Sequence, residues 1–206
     1  MLLVALTGNY GMGKSTVLHM FRDLGAITLN TDKIVEALLR ENDVLRKIRK
    51  LLGDKVFDKN DSLNKKKVAD IIFRNDLLRH SLEDILHPLV FEKIKYFSDD
   101  IRAKDKDKVL IIAAPLIYER GYESKFDRTV VVHTKEENAI DRLEKHGISR
   151  EEALLRLNAQ LPIEEKLKRA DFLIDNNGTI EETMAQVKVA YKKLLEEAGD
   201  GSNQRS

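Results

Sequence analysis

Hydrophobic positions along the chain follow two patterns. Short apolar runs, each rich in branched residues or bounded by turn residues, occur at Leu2 to Leu6, Ala26 to Leu29, Val109 to Ala114, Thr129 to His133 and Phe172 to Ile174. Their length and composition predict strands. The runs VLIIAA and TVVVH are near-continuous rather than alternating, as parallel strands covered on both faces are. Between the runs the apolar spacing is helical. Lys14 to Leu24 follows the first strand directly, and Thr179 to Glu197 closes the pattern with Thr179 and Glu182 at capping-box spacing. Thr134 with Glu137, and Ser149 with Glu152, predict two further helix starts.

The strands are unevenly spaced, and the spacing predicts an architecture. About eighty residues separate the second strand from the third, filled by helical patterns at Ile34 to Leu39, Val44 to Leu52, Lys66 to Phe73 and Leu77 to Arg102. A plain crossover does not need that length, so an inserted helical subdomain is expected, with Pro88 kinking its last helix. A second insertion of two charged helices occupies residues 136–169. The expected layout is a discontinuous core of residues 1–31, 107–135 and 170–198, a helical insertion at 32–106, a lid at 136–169, and a disordered tail from Gly199.

Composition narrows the function. The 206 residues suit one compact domain with insertions, and 36 Lys and Arg against 35 Asp and Glu leave a net charge of +1. That balance lacks the basic footprint of a nucleic-acid binder. The absence of Cys excludes a disulfide framework, a thiolate nucleophile and sulfur-ligated zinc. The opening MLLVALTGNYG carries no basic leader region and is too short to span a bilayer, so a cytoplasmic protein without membrane contact is expected.

One motif decides the class. Gly8-Asn9-Tyr10-Gly11-Met12-Gly13-Lys14-Ser15 spells a phosphate-binding loop, Gly, four residues, then Gly-Lys-Ser, and it lies between a predicted strand and a predicted helix. Glycines let backbone N–H groups curl around phosphate oxygens, and the helix presents its positive end to them. Lys14 reaches the β and γ phosphates, and the Ser15 hydroxyl suits Mg²⁺. The fold expected is α/β: a three-layer P-loop domain on a parallel five-stranded sheet, with a helical substrate-binding insertion and a small helical lid. A GTPase switch would need Asn/Thr-Lys-x-Asp after a later strand, and the nearest approach, Thr134-Lys135-Glu136-Glu137, ends in Glu. Asp175-Asn176-Asn177-Gly178 reads as a turn before a helix.

A small-molecule kinase also needs a group beside the acceptor hydroxyl and cations around the phosphates. Asp32 follows the second strand, where strand ends converge on one crevice, and either orients a hydroxyl there or caps the next helix. The lid segment carries Arg142, Lys145, His146, Arg150, Arg156, Lys166, Lys168 and Arg169, nearly balanced by acids, so most of these read as solvated face charges.

These residues together resemble the dephospho-CoA kinase family over nearly the whole length. ALTGNYGMGKSTV is similar to its phosphate loop, ITLNTDKIV to its strand ending in Asp, and ILHPLVFEKI carries its His-Pro pair at His87 and Pro88. APLIYERGYESKFDRTVVV resembles its Pro-Leu-x-x-Glu stretch, and AIDRLEKHGISREEALLRLNAQLPIEEKLKRADFLIDNNG its lid and last strand. The resemblance implies transfer of the ATP γ-phosphoryl group to the ribose 3′-hydroxyl of dephospho-CoA. It implies Asp32, Lys14 and Arg142 as catalytic residues, and ATP contacts from Gly8, Gly11, Met12, Gly13, Lys14, Ser15, Thr16, Arg142 and Arg156. Thr7, Asp32 and His87 would meet the acceptor, and Ser15 the Mg²⁺ ion. His87 also reads as a structural residue before a helix kink. Asn9, Tyr10 and Met12 depart from the family's usual loop, and Lys145 stands where Arg is common. Kinases of nucleoside monophosphates or shikimate share the loop, the Asp and a lid, and are the alternative.

Overall fold

The computed structural model describes residues 1–203, with side chains as far as residue 200. Two compact units divide the chain, one formed by residues 1–30 and 98–206 and the other by residues 31–97. The first carries all five strands: β1 (Leu2–Thr7), β2 (Ile27–Asn30), β3 (Val109–Ala113), β4 (Arg128–His133) and β5 (Phe172–Asp175). All pair in parallel in the order β2-β3-β1-β4-β5, with Val4 opposite Ile111 and Leu6 opposite Val130. Every strand therefore ends at the same edge of the sheet, and the phosphate loop leaves from the centre of that edge.

Continuous apolar runs are required because both faces of the sheet are covered. On one face Val4, Leu6, Val109, Ile111, Ala113, Val130, Val132 and Ile174 pack with α1 (Lys14–Asp23) and α9 (Ile180–Asn203). Phe21 of α1 meets Tyr191 of α9 edge to face at 6.1 Å. The intervening Ala5, Leu110, Ile112 and Val131 are also fully buried.

In the second unit, α2 (Thr31–Leu38), α3 (Asn42–Leu52), α4 (Lys65–Ile72) and most of α5 (Asp76–Lys104) carry buried Leu38, Val44, Ile48, Leu52, Val68, Leu82, Leu86, Val90 and Ile94. Arg49 lies 3.9 Å over the ring of Phe57 and pairs with Asp54 and Asp61. α5 runs through Pro88 as one helix, and its last turns, with buried Ile101, belong to the first unit. The division thus falls at residue 97, inside a helix, rather than at the loop near residue 106. The lid segment forms three helices instead of the expected two, α6 (Glu136–Lys145), α7 (Arg150–Asn158) and α8 (Ile163–Leu167), and stays within the first unit.

Helix ends follow local chemistry. The Thr179 and Glu182 capping box forms with both reciprocal bonds, at 2.7 and 3.2 Å, and Ser149 caps α7 through the Glu152 N–H. Thr134 does not cap α6, because its hydroxyl donates to Asn177 Oδ1. The tail expected to be disordered from Gly199 continues α9 to Asn203. The helix is packed along Val187, Ala190, Tyr191, Leu194 and Ala198, so glycine's weak propensity does not stop it at that point. Residues 204–206 lie outside the described residues.

Ile111 sits at the centre of this core. Ile111→Ala should lower the unfolding free energy by about 2–5 kcal/mol, read by urea denaturation; a loss below about 1 kcal/mol would mean that the sheet face is loosely packed.

Candidate active site

The phosphate loop joins β1 to α1 and is held by close backbone packing. Gly8 and Gly13 have φ of 143° and 96°, and a Cβ on either would collide, with the Val132 carbonyl at Gly8 and with the Asn176 side-chain amide at Gly13. Glycine is required at both positions for conformation and for space. The Lys14 ammonium curls into the loop, donating to the carbonyls of Gly8 at 2.8 Å and Asn9 at 3.0 Å. α1 begins with no side-chain cap and no acid in its first turn. Its N–H groups and positive end are thereby left to an anion. Ser15 and Thr16 are exposed in that turn, and Met12 is buried.

Asn176, just past β5, braces the loop from behind. Its amide donates to the Met12 carbonyl at 3.0 Å, its Oδ1 accepts from Thr183, and its N–H reaches the His133 carbonyl. Its own carbonyl accepts from Arg142 Nη2 at 2.7 Å. Arg142 Nη1 is buried without an acceptor among the described residues and lies 3.5 Å from where a Gly13 Cβ would sit. The lid segment reaches the loop directly as well: Asn9 donates to the Leu161 carbonyl, Tyr10 N–H to Gln160 Oε1, and Arg156 to the Tyr10 hydroxyl. Lys145, at the end of α6, is exposed.

A buried ion pair lies behind these contacts. Lys166 is fully buried and meets Glu119 Oε1 at 2.6 Å, the same oxygen that accepts from Leu161 N–H. Burial pulls the Lys166 ammonium below the ordinary lysine range, and the Glu119 charge opposes that shift. Lys166 also donates to the Pro115 carbonyl, as does the Thr7 hydroxyl. The donor of Thr7, expected at the acceptor, is therefore spent inside the protein. The pair was not identifiable as a unit from sequence. The one available signal was an APLIYE run that leaves the end of β3 and returns a carboxylate toward the sheet edge.

The structure gathers Gly8, Gly11, Met12, Gly13, Lys14, Ser15, Thr16, Arg142 and Arg156 in the first unit. Asp32 and His87 belong to the second unit. Asp32 is exposed in the first turn of α2, which starts at Thr31, so Asp32 is not its cap; His87 is half-buried in α5, just before Pro88. No cluster of three or more His, Asp or Glu that could hold a metal occurs among the described residues. One hydroxyl such as that of Ser15 fits Mg²⁺ arriving with a nucleotide, because that ion keeps its waters and takes phosphate oxygens. No helix among the described residues is long and apolar enough to cross a membrane.

Known proteins match the chain over nearly its whole length. The model of the family described as dephospho-CoA kinase matches residues 2–182. A dephospho-CoA kinase of Aquifex aeolicus is 38% identical over 192 residues, covering 93% of this chain and 96% of that protein. The solved structure of a dephospho-CoA kinase from Campylobacter jejuni superposes with a TM-score of 0.68 at 25% identity, over 95% of this chain and 98% of that one. A shikimate kinase from Acinetobacter baumannii shares the fold, with a TM-score of 0.53 at 17% identity over 96% of this chain and 94% of that one.

Breaking the buried pair should be costly. Glu119→Leu leaves Lys166 buried without a counter-charge and should lower stability by about 3–5 kcal/mol, whereas Glu119→Leu with Lys166→Met should recover more than half of that loss in chemical denaturation. Equal losses in both variants would assign the effect to the Leu161 N–H bond instead.

Proposed function

Because the chain belongs to the dephospho-CoA kinase family, which catalyses the final step of CoA biosynthesis, we propose that it transfers the γ-phosphoryl group of ATP to the ribose 3′-hydroxyl of dephospho-CoA. The products are coenzyme A and ADP. The observation that supports this reading is Arg142: one guanidinium nitrogen is anchored on the Asn176 carbonyl while the other, buried, lies beside the Gly13 end of the loop. A cation held in that way suits a phosphate that the loop cradles.

In this reading, loop N–H groups and the start of α1 bind the β and γ phosphates, and Lys14 moves from its carbonyls to phosphate oxygens. Ser15 would hold Mg²⁺, which would supply neutralisation of phosphate charge. Asp32 accepts the proton of the ribose 3′-hydroxyl as its oxygen bonds to the γ phosphorus. The bond from that phosphorus to the bridging oxygen breaks, and ADP leaves with the electron pair. Arg142 and Arg156 offset the charge spread over the transferring group, and His87 contacts the acceptor.

The first test is ADP release with ATP and Mg²⁺, comparing dephospho-CoA with AMP, shikimate and water. Turnover with dephospho-CoA alone, yielding CoA, is expected, and turnover only with another acceptor would overturn the assignment. Asp32→Asn should keep nucleotide binding and lower kcat about a hundredfold or more; an unchanged kcat would remove Asp32 from the chemistry. Arg142→Ala should lower kcat with little change in nucleotide affinity, whereas loss of affinity alone would assign Arg142 to ground-state binding.

A further inference from the structure

The phosphate-loop pattern constrains its glycines, Lys14 and Ser15, and leaves the side chain at position 10 unspecified. Here that position is Tyr10, and its side chain is turned onto the lid segment. Its hydroxyl accepts from Arg156 Nη1 at 2.7 Å, and the guanidinium carbon of Arg156 lies 4.8 Å from the centre of its ring. Its backbone N–H donates to Gln160 Oε1 at 2.7 Å, and its ring packs on the small core of Ile140, Leu143, Ala153 and Leu157. Arg156 has a second partner, Glu152, one turn earlier on the same helix. Glu152 draws the guanidinium along α7, and Tyr10 draws it to the loop.

We infer that Tyr10 is a positioning residue, which holds Arg156 at the phosphate loop so that the nucleotide meets a cation already in place. An arginine side chain has much rotamer freedom, and ordering it during binding weakens affinity. Tyr10 shifts that ordering to folding. A phenol does so without cancelling the charge, because its oxygen is neutral and its ring face attracts a cation. A carboxylate at position 10 would fix Arg156 equally well but would add a second negative charge to the one Glu152 already brings, and would repel the incoming phosphates. The inference rests on the phosphate role of Arg156 proposed above.

The test is a double-mutant cycle on the full chain, with Mg-ATP binding measured by titration calorimetry for wild type, Tyr10→Phe, Arg156→Ala and the double variant. Tyr10→Phe keeps the ring and its packing, so the fold is retained, and it should weaken Mg-ATP binding by about three- to tenfold. In the Arg156→Ala background the same change should do nothing further. With turnover as a second readout, KM for ATP should rise in Tyr10→Phe while KM for dephospho-CoA holds. Tyr10→Leu, which keeps the packing but loses both the hydroxyl and the ring face, should weaken binding at least as much. Unchanged affinity in Tyr10→Phe, or a full effect repeated in the Arg156→Ala background, overturns the inference. If Arg156→Ala binds Mg-ATP as wild type does, the inference falls with the phosphate role of Arg156. The acceptor assignment is decided separately by wild-type turnover of dephospho-CoA.

Discussion

The approach of the phosphate loop to the backbone of β4 and to Asn176 is the constraint on which the rest of the site depends. No side chain fits between Gly8 and the Val132 carbonyl, or between Gly13 and the Asn176 amide. The loop therefore keeps its curve only while β4 and the turn after β5 stay in register with β1. That register is set by the hydrophobic sheet itself, with Val4, Leu6, Val130, Val132 and Ile174 on one buried face. The anion-binding geometry at the strand ends is thus a consequence of packing in the middle of the strands.

From that brace the architecture extends to the lid segment through backbone carbonyls. Met12 is tied to Asn176, Asn176 to Arg142 and to Thr183 of α9, and Asn9 to Leu161. Leu161 is in turn tied to Glu119, and Glu119 to Lys166. A displacement of the loop would disturb buried bonds in three directions, which makes a single arrangement the stable one. The ion pair of Glu119 and Lys166 serves this network by specifying geometry. Its burial makes it a weak source of net stability.

Much of this was legible in the sequence, for reasons that can be stated. Buried parallel strands must be continuously apolar, so VLIIAA and TVVVH identified β3 and β4, and the Gly-Lys-Ser spacing identified the loop. Capping at Thr179 was legible because both partners lie within one turn. The misreadings have a common cause in tertiary contact. Thr134 carries a capping spelling, but Asn177, distant in sequence, takes its hydroxyl. Gly199 and Gly201 signal a stop that the packing of α9 overrides. The bonds that tie Tyr10, Asn176 and Glu119 to the loop and the lid segment bridge 34 to 164 positions and leave no local periodicity to detect.

The way the cations are held separates this site from the rest of the surface. Elsewhere most basic side chains sit against acids, as in the pairs of Arg46 with Asp43, Lys104 with Asp100, Arg150 with Glu137 and Lys168 with Glu165, and these contacts are exposed and weak. At the loop the anchors are different in kind. Lys14 rests on the carbonyls of Gly8 and Asn9, Arg142 on the carbonyl of Asn176, and Arg156 on a phenol as well as on Glu152. A carbonyl or a phenol orients a cation through a dipole without adding the negative charge that a carboxylate brings. With a chain near neutrality overall, neutral anchors favour a local positive potential at the loop, which the Glu152 carboxylate beside Arg156 offsets in part. The folded backbone supplies them where the loop, the turn after β5 and the lid segment meet.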